Sequence, residues 1–201
     1  MFGFKKKDPG ELLKDATSLK KSGDIDGAIE CLRKAYKEIE KSSVVYDVKT
    51  FLRLPLYLQE AKKNDEAWSE FNKLISKGYP NQMKSKELIP MDASIIYDKM
   101  RLFLQREKQP EKAVKIGVFS HLQWAQGLYY QERKDELENM LSPESIEKLV
   151  LGLLKKAKLA DMKDIIVNEV NESLENFPTI SYSKLGNTID SSVVKNNLTS
   201  A

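Results

Sequence analysis

The feature of this sequence that most constrains its fold is a series of short amphipathic segments separated by brief polar breaks. In the first segment, Leu12, Ala16 and Leu19 recur at the three- and four-residue spacing of one helix face. Asp8 and Pro9 stand at its start, and both residue types are typical of helix N-termini. No segment shows the sustained alternation of a strand. The chain is therefore predicted to be all-α.

The amphipathic segments are predicted to form consecutive pairs. Asp24 caps the second helix, and the short link before it makes the first two helices an antiparallel hairpin. Ser42 or Ser43 is predicted to begin the second pair. Asp92 begins the third pair and Ser142 the fourth. The predicted pairs lie near residues 8–41, 42–78, 92–130 and 142–177.

Two stretches lie outside the array of pairs that spans residues 8–178. Residues 1–7 are predicted to be a flexible basic N-terminus. Phe2 and Phe4 beside three lysines would give only weak attachment to an anionic membrane, and a frayed end is the alternative. Residues 179–201 are rich in Ser, Thr and Asn with a weak apolar pattern, so a largely extended or disordered tail is predicted.

Composition narrows the classes of function. The chain has 33 basic and 30 acidic residues, so its net charge of +3 supplies no broad attraction for nucleic acid. A single cysteine, Cys31, and a single histidine cannot build a zinc-type cluster, and no glycine-rich phosphate loop is present. No apolar run suits a membrane span or a secretory signal. We predict a cytoplasmic protein that is not an enzyme and has no catalytic residues, cofactor or metal.

The pairs also carry an ordered pattern of small and bulky residues. The first pair matches one repeat of a known family through Leu12, Ala16, Leu19, Ala28, Leu32 and Ala35. The second pair matches through Phe51, Pro55, Leu58, Ala67, Phe71 and Leu74, and the third through Tyr97, Leu104, Ala113 and Gly117. Over residues 9–120 the chain thus resembles a tetratricopeptide-repeat protein. The alanines Ala28, Ala67 and Ala113 are 39 and 46 residues apart, whereas the family repeats every ~34 residues. Lengthened hairpins are therefore expected.

The resemblance implies a right-handed array of about four stacked hairpins that binds a protein or peptide on its concave surface. In this family the first helix of each hairpin lines that surface. The partner-binding residues implied here are Leu13, Thr17, Lys20, Lys49, Leu52, Leu56, Gln59, Asp98, Leu102 and Gln105. The family's carboxylate clamp is not predicted, because only Lys20 and Lys49 are of the required type. The three leucines Leu52, Leu56 and Leu102 suit an apolar peptide or helix, unless they are buried.

The predicted function is therefore that of a protein–protein interaction module or adaptor. One alternative is a helical-repeat protein that binds nucleic acid through a strip of Lys20, Lys21, Lys49, Arg53, Lys99, Arg101 and Arg106. Another is an immunity or accessory protein that neutralises one dedicated partner, whose gene would lie adjacent.

Two other features are open to two interpretations. His121 lies near an apolar face and is either a packed residue or a pH-sensitive contact. The aromatic cluster of Phe119, Trp124, Tyr129 and Tyr130 is either core packing between the third and fourth pairs or a surface for a partner or self-association.

Overall fold

The computed structural model describes the backbone of residues 8–199 and the side chains of residues 8–195. Within this range the chain forms ten α-helices, one short 3-10 helix and no strand, which confirms the all-α prediction. The predicted basic N-terminus lies outside the described residues. The α-helices are α1 (Pro9–Lys21), α2 (Ile25–Glu40), α3 (Val48–Glu60), α4 (Asn64–Lys77), α5 (Leu88–Arg106), α6 (Pro110–Tyr130), α7 (Lys134–Leu141), α8 (Pro143–Ala157), α9 (Lys163–Leu174) and α10 (Tyr182–Thr199).

The chain divides after Met83 into two compact units. Unit 1 contains α1–α4, and each of these helices packs against the next one along the chain. Several alanines in this unit have almost no exposed surface, and small residues let helix backbones approach closely. The side chains in unit 1 with no exposed surface are Ala16, Ala28, Leu32, Ala35, Ile39, Leu58, Ala67 and Phe71.

Unit 2 contains α5–α10 and is organised around α6. This helix packs against α5, α7, α8 and α10, and it buries apolar residues on several sides, as a central helix must. Gly117 lies where α6 meets α8: a Cβ atom there would be 2.5 Å from Leu153 Cδ2. The glycine therefore permits the close approach of these two helices.

Three of the predicted helix caps are confirmed. Asp8 accepts a hydrogen bond from Gly10 N at 3.0 Å, and Asp24 accepts one from Gly27 N at 2.9 Å. Ser142 caps α8 through Ser145 N at 3.3 Å. These side chains satisfy backbone donors that have no partner within the helix. Local sequence chemistry therefore decides where these helices begin.

Two predicted caps are wrong. The second pair begins later than Ser42 or Ser43, because Asp47 caps α3 by accepting from Thr50 N at 3.0 Å. The third pair begins before Asp92, since α5 starts at Leu88. Pro90 falls in the first turn of α5, where its missing N–H leaves no hydrogen bond unmade.

Five of the described helices end in the same Schellman motif. In each, a backbone N–H beyond the helix donates to a leucine carbonyl at 2.8–3.1 Å; the leucines are Leu19, Leu58, Leu104, Leu128 and Leu154. A residue with positive φ precedes that donor: Gly23, Lys62, Lys108, Glu132 and Lys158. Only the first is the expected glycine, so the sequence did not indicate the other four turns.

The prediction of an extended or disordered C-terminal tail is wrong for residues 182–199, which form α10. This helix packs on α6 and α9 and buries Leu185, Ile189 and Val193 at four-residue spacing. Lys115 on α6 forms an ion pair with Asp190 on α10. Three apolar residues among Ser, Thr and Asn make a weak sequence pattern, and the surface that covers them comes from α6 and α9.

None of the described helices combines the length and the apolar character that a membrane crossing requires.

Candidate binding cleft

An open cleft of about 480 Å³ lies in unit 2 between α5, α6 and α8. Both α5 and α8 pack on α6 but have little contact with each other, which leaves a groove along α6. Residues at helical spacing line it: Ser94, Asp98 and Arg101 from α5, Gly117, Ser120, His121 and Trp124 from α6, and Lys148, Leu149, Gly152, Leu153 and Lys156 from α8, with Met140 from α7. The cleft therefore presents one face of each of three helices together with one residue of α7.

Paired serines hold α5 against α6 at this cleft. Ser94 Oγ donates to the Ser120 carbonyl at 2.7 Å, and Ser120 Oγ donates to the Ser94 carbonyl at 2.9 Å. Ser94 is 6% exposed, so these bonds satisfy polar groups that would otherwise be buried without a partner. They fix the positions of two lining helices before any partner binds.

The α5 side of the cleft carries a carboxylate, Asp98, whose charge is balanced by neighbouring cations. Arg101 Nη2 donates to Asp98 Oδ1 at 2.6 Å, and Lys99 Nζ lies 3.3 Å from Asp98 Oδ2. Burial opposes ionisation of Asp98, but the hydrogen bonds and charges of Arg101 and Lys99 outweigh it and hold the pKa of this carboxyl below its usual value. Asp98 is therefore charged and already partnered at neutral pH.

His121 is a half-buried member of the α6 face. Its Nε2 lies 2.9 Å from the Met140 carbonyl oxygen, which can only accept, so Nε2 carries the proton. Burial lowers the pKa of His121, and the hydrogen bond to Met140 opposes this shift only in part. The neutral imidazole is the form that the fold prefers, and it links α6 to α7.

We expect protonation of His121 to make the free energy of unfolding depend on pH. Since the folded-state pKa of His121 lies below its unfolded value of about 6.5, the unfolded chain binds the proton more tightly. Stability is then full above pH ~6.5 and falls as the pH drops through the folded-state pKa. Urea denaturation at several pH values between 7.5 and 5 should show a steeper loss for the wild type than for His121→Gln. Equal slopes for both proteins would contradict this assignment.

The α8 side of the cleft carries two exposed lysines. Lys148, Gly152 and Lys156 are exposed, and Leu149 is half-buried beside them. Among the described residues, Lys148 and Lys156 make no ion pair or hydrogen bond. Across the cleft, the Trp124 side chain is 36% exposed. One large aromatic side chain and two lysines thus face solvent together in this cleft.

Gly152 has no packing role that explains it. A Cβ atom built there meets no atom within 4 Å, whereas one at Gly117 would lie 2.5 Å from Leu153 Cδ2 and 3.1 Å from Arg101 Cδ. Glycine within a helix is less favourable than alanine by about 1 kcal/mol. Gly152 lies in the middle of α8, where this cost applies.

Gly152→Ala is therefore expected to raise the free energy of unfolding by about 1 kcal/mol. The matched control is Gly117→Ala, which is expected to destabilise the protein because its Cβ would overlap Leu153 and Arg101. Urea denaturation followed by circular dichroism measures both changes. A loss of stability in Gly152→Ala would mean that the glycine has a packing role after all.

In unit 1, the residues implied as partner-binding by the family resemblance differ in accessibility. Leu13, Leu52 and Gln59 are buried, with exposures of 8%, 2% and 6%, so they are not free to contact a partner in this structure. Leu56 and Thr17 are half-buried, and the Thr17 hydroxyl accepts from Arg53 at 2.9 Å.

The two lysines of that set also differ. Lys20 pairs with Glu60 at 2.6 Å and lies over the Tyr57 ring, with Nζ 4.6 Å from the centroid. Lys49 is exposed on α3. A binding role for any of these residues stays a prediction.

In unit 2, Asp98 lines the cleft, and Leu102 and Gln105 are half-buried. Gln105 accepts from Arg101 Nη1 at 3.3 Å and lines a second cleft that adjoins the first at Lys156. Asp98 is thus the one residue of the predicted partner-binding set that lines the main cleft. No local pattern places α8 alongside this cleft, although a glycine in the middle of the α8 segment is a signal of a special position.

The members of the predicted aromatic cluster differ in burial. Phe119 is 9% exposed and stacks edge-on with Tyr97 and Tyr182, at centroid distances of 5.6 and 5.3 Å. Trp124 faces the cleft, and Tyr129 is 44% exposed. Phe119 is therefore a core residue whose ring neighbours lie on α5 and α10 rather than on the fourth pair, whereas Trp124 and Tyr129 are on the surface.

Comparison with known proteins assigns no family. No protein-family model matches the chain, and no curated protein or solved structure is significantly similar to it. In the described part of the chain, no group of three or more His, Cys, Asp or Glu side chains is arranged to hold a metal ion. A functional interpretation therefore depends on the cleft itself.

Proposed function

We propose that this chain is a non-enzymatic protein–protein interaction module, an adaptor that binds a protein or peptide partner in the cytoplasm. The observation that supports this most is the open cleft between α5, α6 and α8. Trp124 is exposed there, and tryptophan is among the residues most enriched where partners contribute binding energy. Hydrogen bonds between α5 and α6 hold the cleft in shape, and a preformed surface loses little entropy on binding.

We also infer that the helix pairs are tetratricopeptide-like hairpins. Three-residue links join α1 to α2, α3 to α4, and α5 to α6, and each link contains the same Schellman motif. Repetition of one local turn is typical of helical repeats, although the intervals are irregular. On this proposal, exposed Lys49 and half-buried Leu56 on α3 are a second place where a partner could bind.

The contacts of the basic strip favour a protein partner over nucleic acid. Arg53 donates to the Leu13 carbonyl at 3.0 Å, and Lys20 pairs with Glu60. Lys99 and Arg101 share Asp98. Cations that are engaged within the protein release fewer counterions from a phosphate backbone, and this weakens binding.

Site-specific crosslinking tests the proposal. A photoreactive phenylalanine analogue replaces Trp124 in the full chain, and a matched chain carries it at exposed Asn72 on α4. After irradiation in the native cells, we expect one defined protein adduct at position 124 and none at position 72. Adducts at neither position, or adducts with nucleic acid alone, would refute a protein-binding cleft.

A further inference from the structure

The length of the cleft fits two turns of an α-helix. Two turns of helix are about 11 Å long. Lys148 and Lys156, which both line the cleft, are eight residues apart on α8, or about 12 Å. A helix could therefore insert one face and leave the other in solvent.

Gly152 marks where such a helix would come closest. Its position has no neighbour within 4 Å, and it lies midway between the two lysines on the same face of α8. Without a side chain there, a second helix backbone can approach α8 closely, as it does at Gly117 inside unit 2. The partner residue that faces Gly152 must then be small as well.

The charged side chains around the cleft indicate which chemistry the partner should have. The cleft is lined by three cationic side chains, Arg101, Lys148 and Lys156, against one carboxylate, Asp98, which is already paired. The adjoining cleft shares Lys156 and adds Lys108 and Lys158 against Glu111. A partner with acidic residues at these positions would compensate the excess and would be favoured over a neutral one.

From these observations we infer that the cleft binds an acidic amphipathic helix of a partner protein, an inference that rests on the proposed function. The partner's binding face carries two acidic residues seven or eight positions apart, which contact Lys148 and Lys156. A small residue between them packs on Gly152, and apolar neighbours contact Trp124 and Leu149. This is the helix-in-groove mode of recognition, in which the contacting residues of the partner recur at the spacing of one helix face.

A single nucleic-acid strand is the competing occupant, since a base could stack on Trp124. The cleft favours the helix, because a base or sugar gains nothing from the bare backbone at Gly152, whereas a helix backbone can approach it closely.

The test uses the full chain with Trp68→Phe, which leaves Trp124 as its only tryptophan. The probes are 18-residue helical peptides selected by display from a library randomised at the positions of one helix face. We expect the selected peptides to share two Asp or Glu residues seven or eight positions apart with Gly, Ala or Ser between them. Binding should shift the Trp124 emission to shorter wavelength, because the ring becomes covered.

Two variants separate the inference from a general charge effect. Lys148→Glu with Lys156→Glu should weaken peptide binding at least tenfold. The matched control reverses Lys14 and Lys21, two exposed lysines seven residues apart on α1, and should leave binding within twofold. Gly152→Ala should weaken binding severalfold while it stabilises the protein alone. A glycine with only a structural role would not produce these opposite effects.

The inference is overturned if the selection yields no binders, if the binders lack the acidic pair, or if the cleft variants bind the peptides as tightly as the wild type does. It is also overturned if a 12-nucleotide oligo(U) shifts the Trp124 emission with the same dependence on Lys148 and Lys156. Crosslinking of a protein at position 124 without peptide binding would leave the proposed function intact and show that the partner is not an acidic helix.

Discussion

Replacing Phe71 by alanine is expected to lower the free energy of unfolding by about 3–5 kcal/mol. Phe71 has no exposed surface and is the largest such side chain in the described core. It and Ala67 are the two buried residues of α4, so this ring is the largest buried apolar side chain that α4 contributes to unit 1. Truncation removes its contacts and leaves a cavity in the core.

The measurement is urea denaturation followed by circular dichroism, with Trp68 fluorescence in a Trp124→Phe background as a local report from α4. Asn72→Ala, an exposed change on the next residue, is the control and should alter stability by less than about 0.5 kcal/mol. Since domains of this size are stable by only about 5–15 kcal/mol, the Phe71→Ala protein should lose a large fraction of its stability. A loss below about 1 kcal/mol would show that α4 is held by other contacts.

The second large effect is expected at the C-terminal helix. Ile189 has no exposed surface and lies at the centre of the apolar face that α10 presents to its neighbours. Ile189→Asp places a carboxylate in that contact without a partner, so α10 must detach or the carboxyl must stay protonated. Each buried aliphatic side chain contributes ~1.5–3 kcal/mol. Loss of the α10 contact should therefore destabilise unit 2 by about 3 kcal/mol or more.

Asn187→Asp introduces the same residue at an exposed position of the same helix and should change stability little. Limited proteolysis distinguishes the two variants, since a detached α10 is cleaved readily whereas a docked helix is protected. Hydrogen exchange of the α10 amides should increase in Ile189→Asp alone. Identical behaviour of both variants would mean that residues 182–199 do not contribute to the fold.

Several helix starts could be predicted from neighbouring residues, whereas the helix α10 depends on tertiary contacts. Asp8, Asp24 and Ser142 could be assigned from sequence because a cap interacts with its own next few residues. Asp47 was missed because Ser42 and Ser43 are equally good local caps, and the choice depends on where α3 packs. Residues 182–199 were misread because Leu185, Ile189 and Val193 become a helix face only when α6 and α9 cover them.

Some residues of the candidate site could likewise be predicted from the sequence, whereas others could not. Asp98, which the family resemblance implied, lies in the cleft, whereas Leu13, Leu52 and Gln59 are buried. Trp124 was recognised as part of an aromatic cluster, but its exposure could not be assigned before the position of α8 was known. Gly152 is the clearest case, since a glycine within a helix signals close approach only after its surroundings prove empty.

By itself, the sequence determined that this protein is all-α, where several of its helices begin, and that many small and bulky residues belong to its core. These properties follow from helical periodicity and capping, which act over a few residues. Only the tertiary structure decided the division after Met83, the docking of α10, and the cleft in which Trp124, Lys148, Gly152 and Lys156 meet. Such features depend on burial between segments far apart in the chain, which no local pattern specifies.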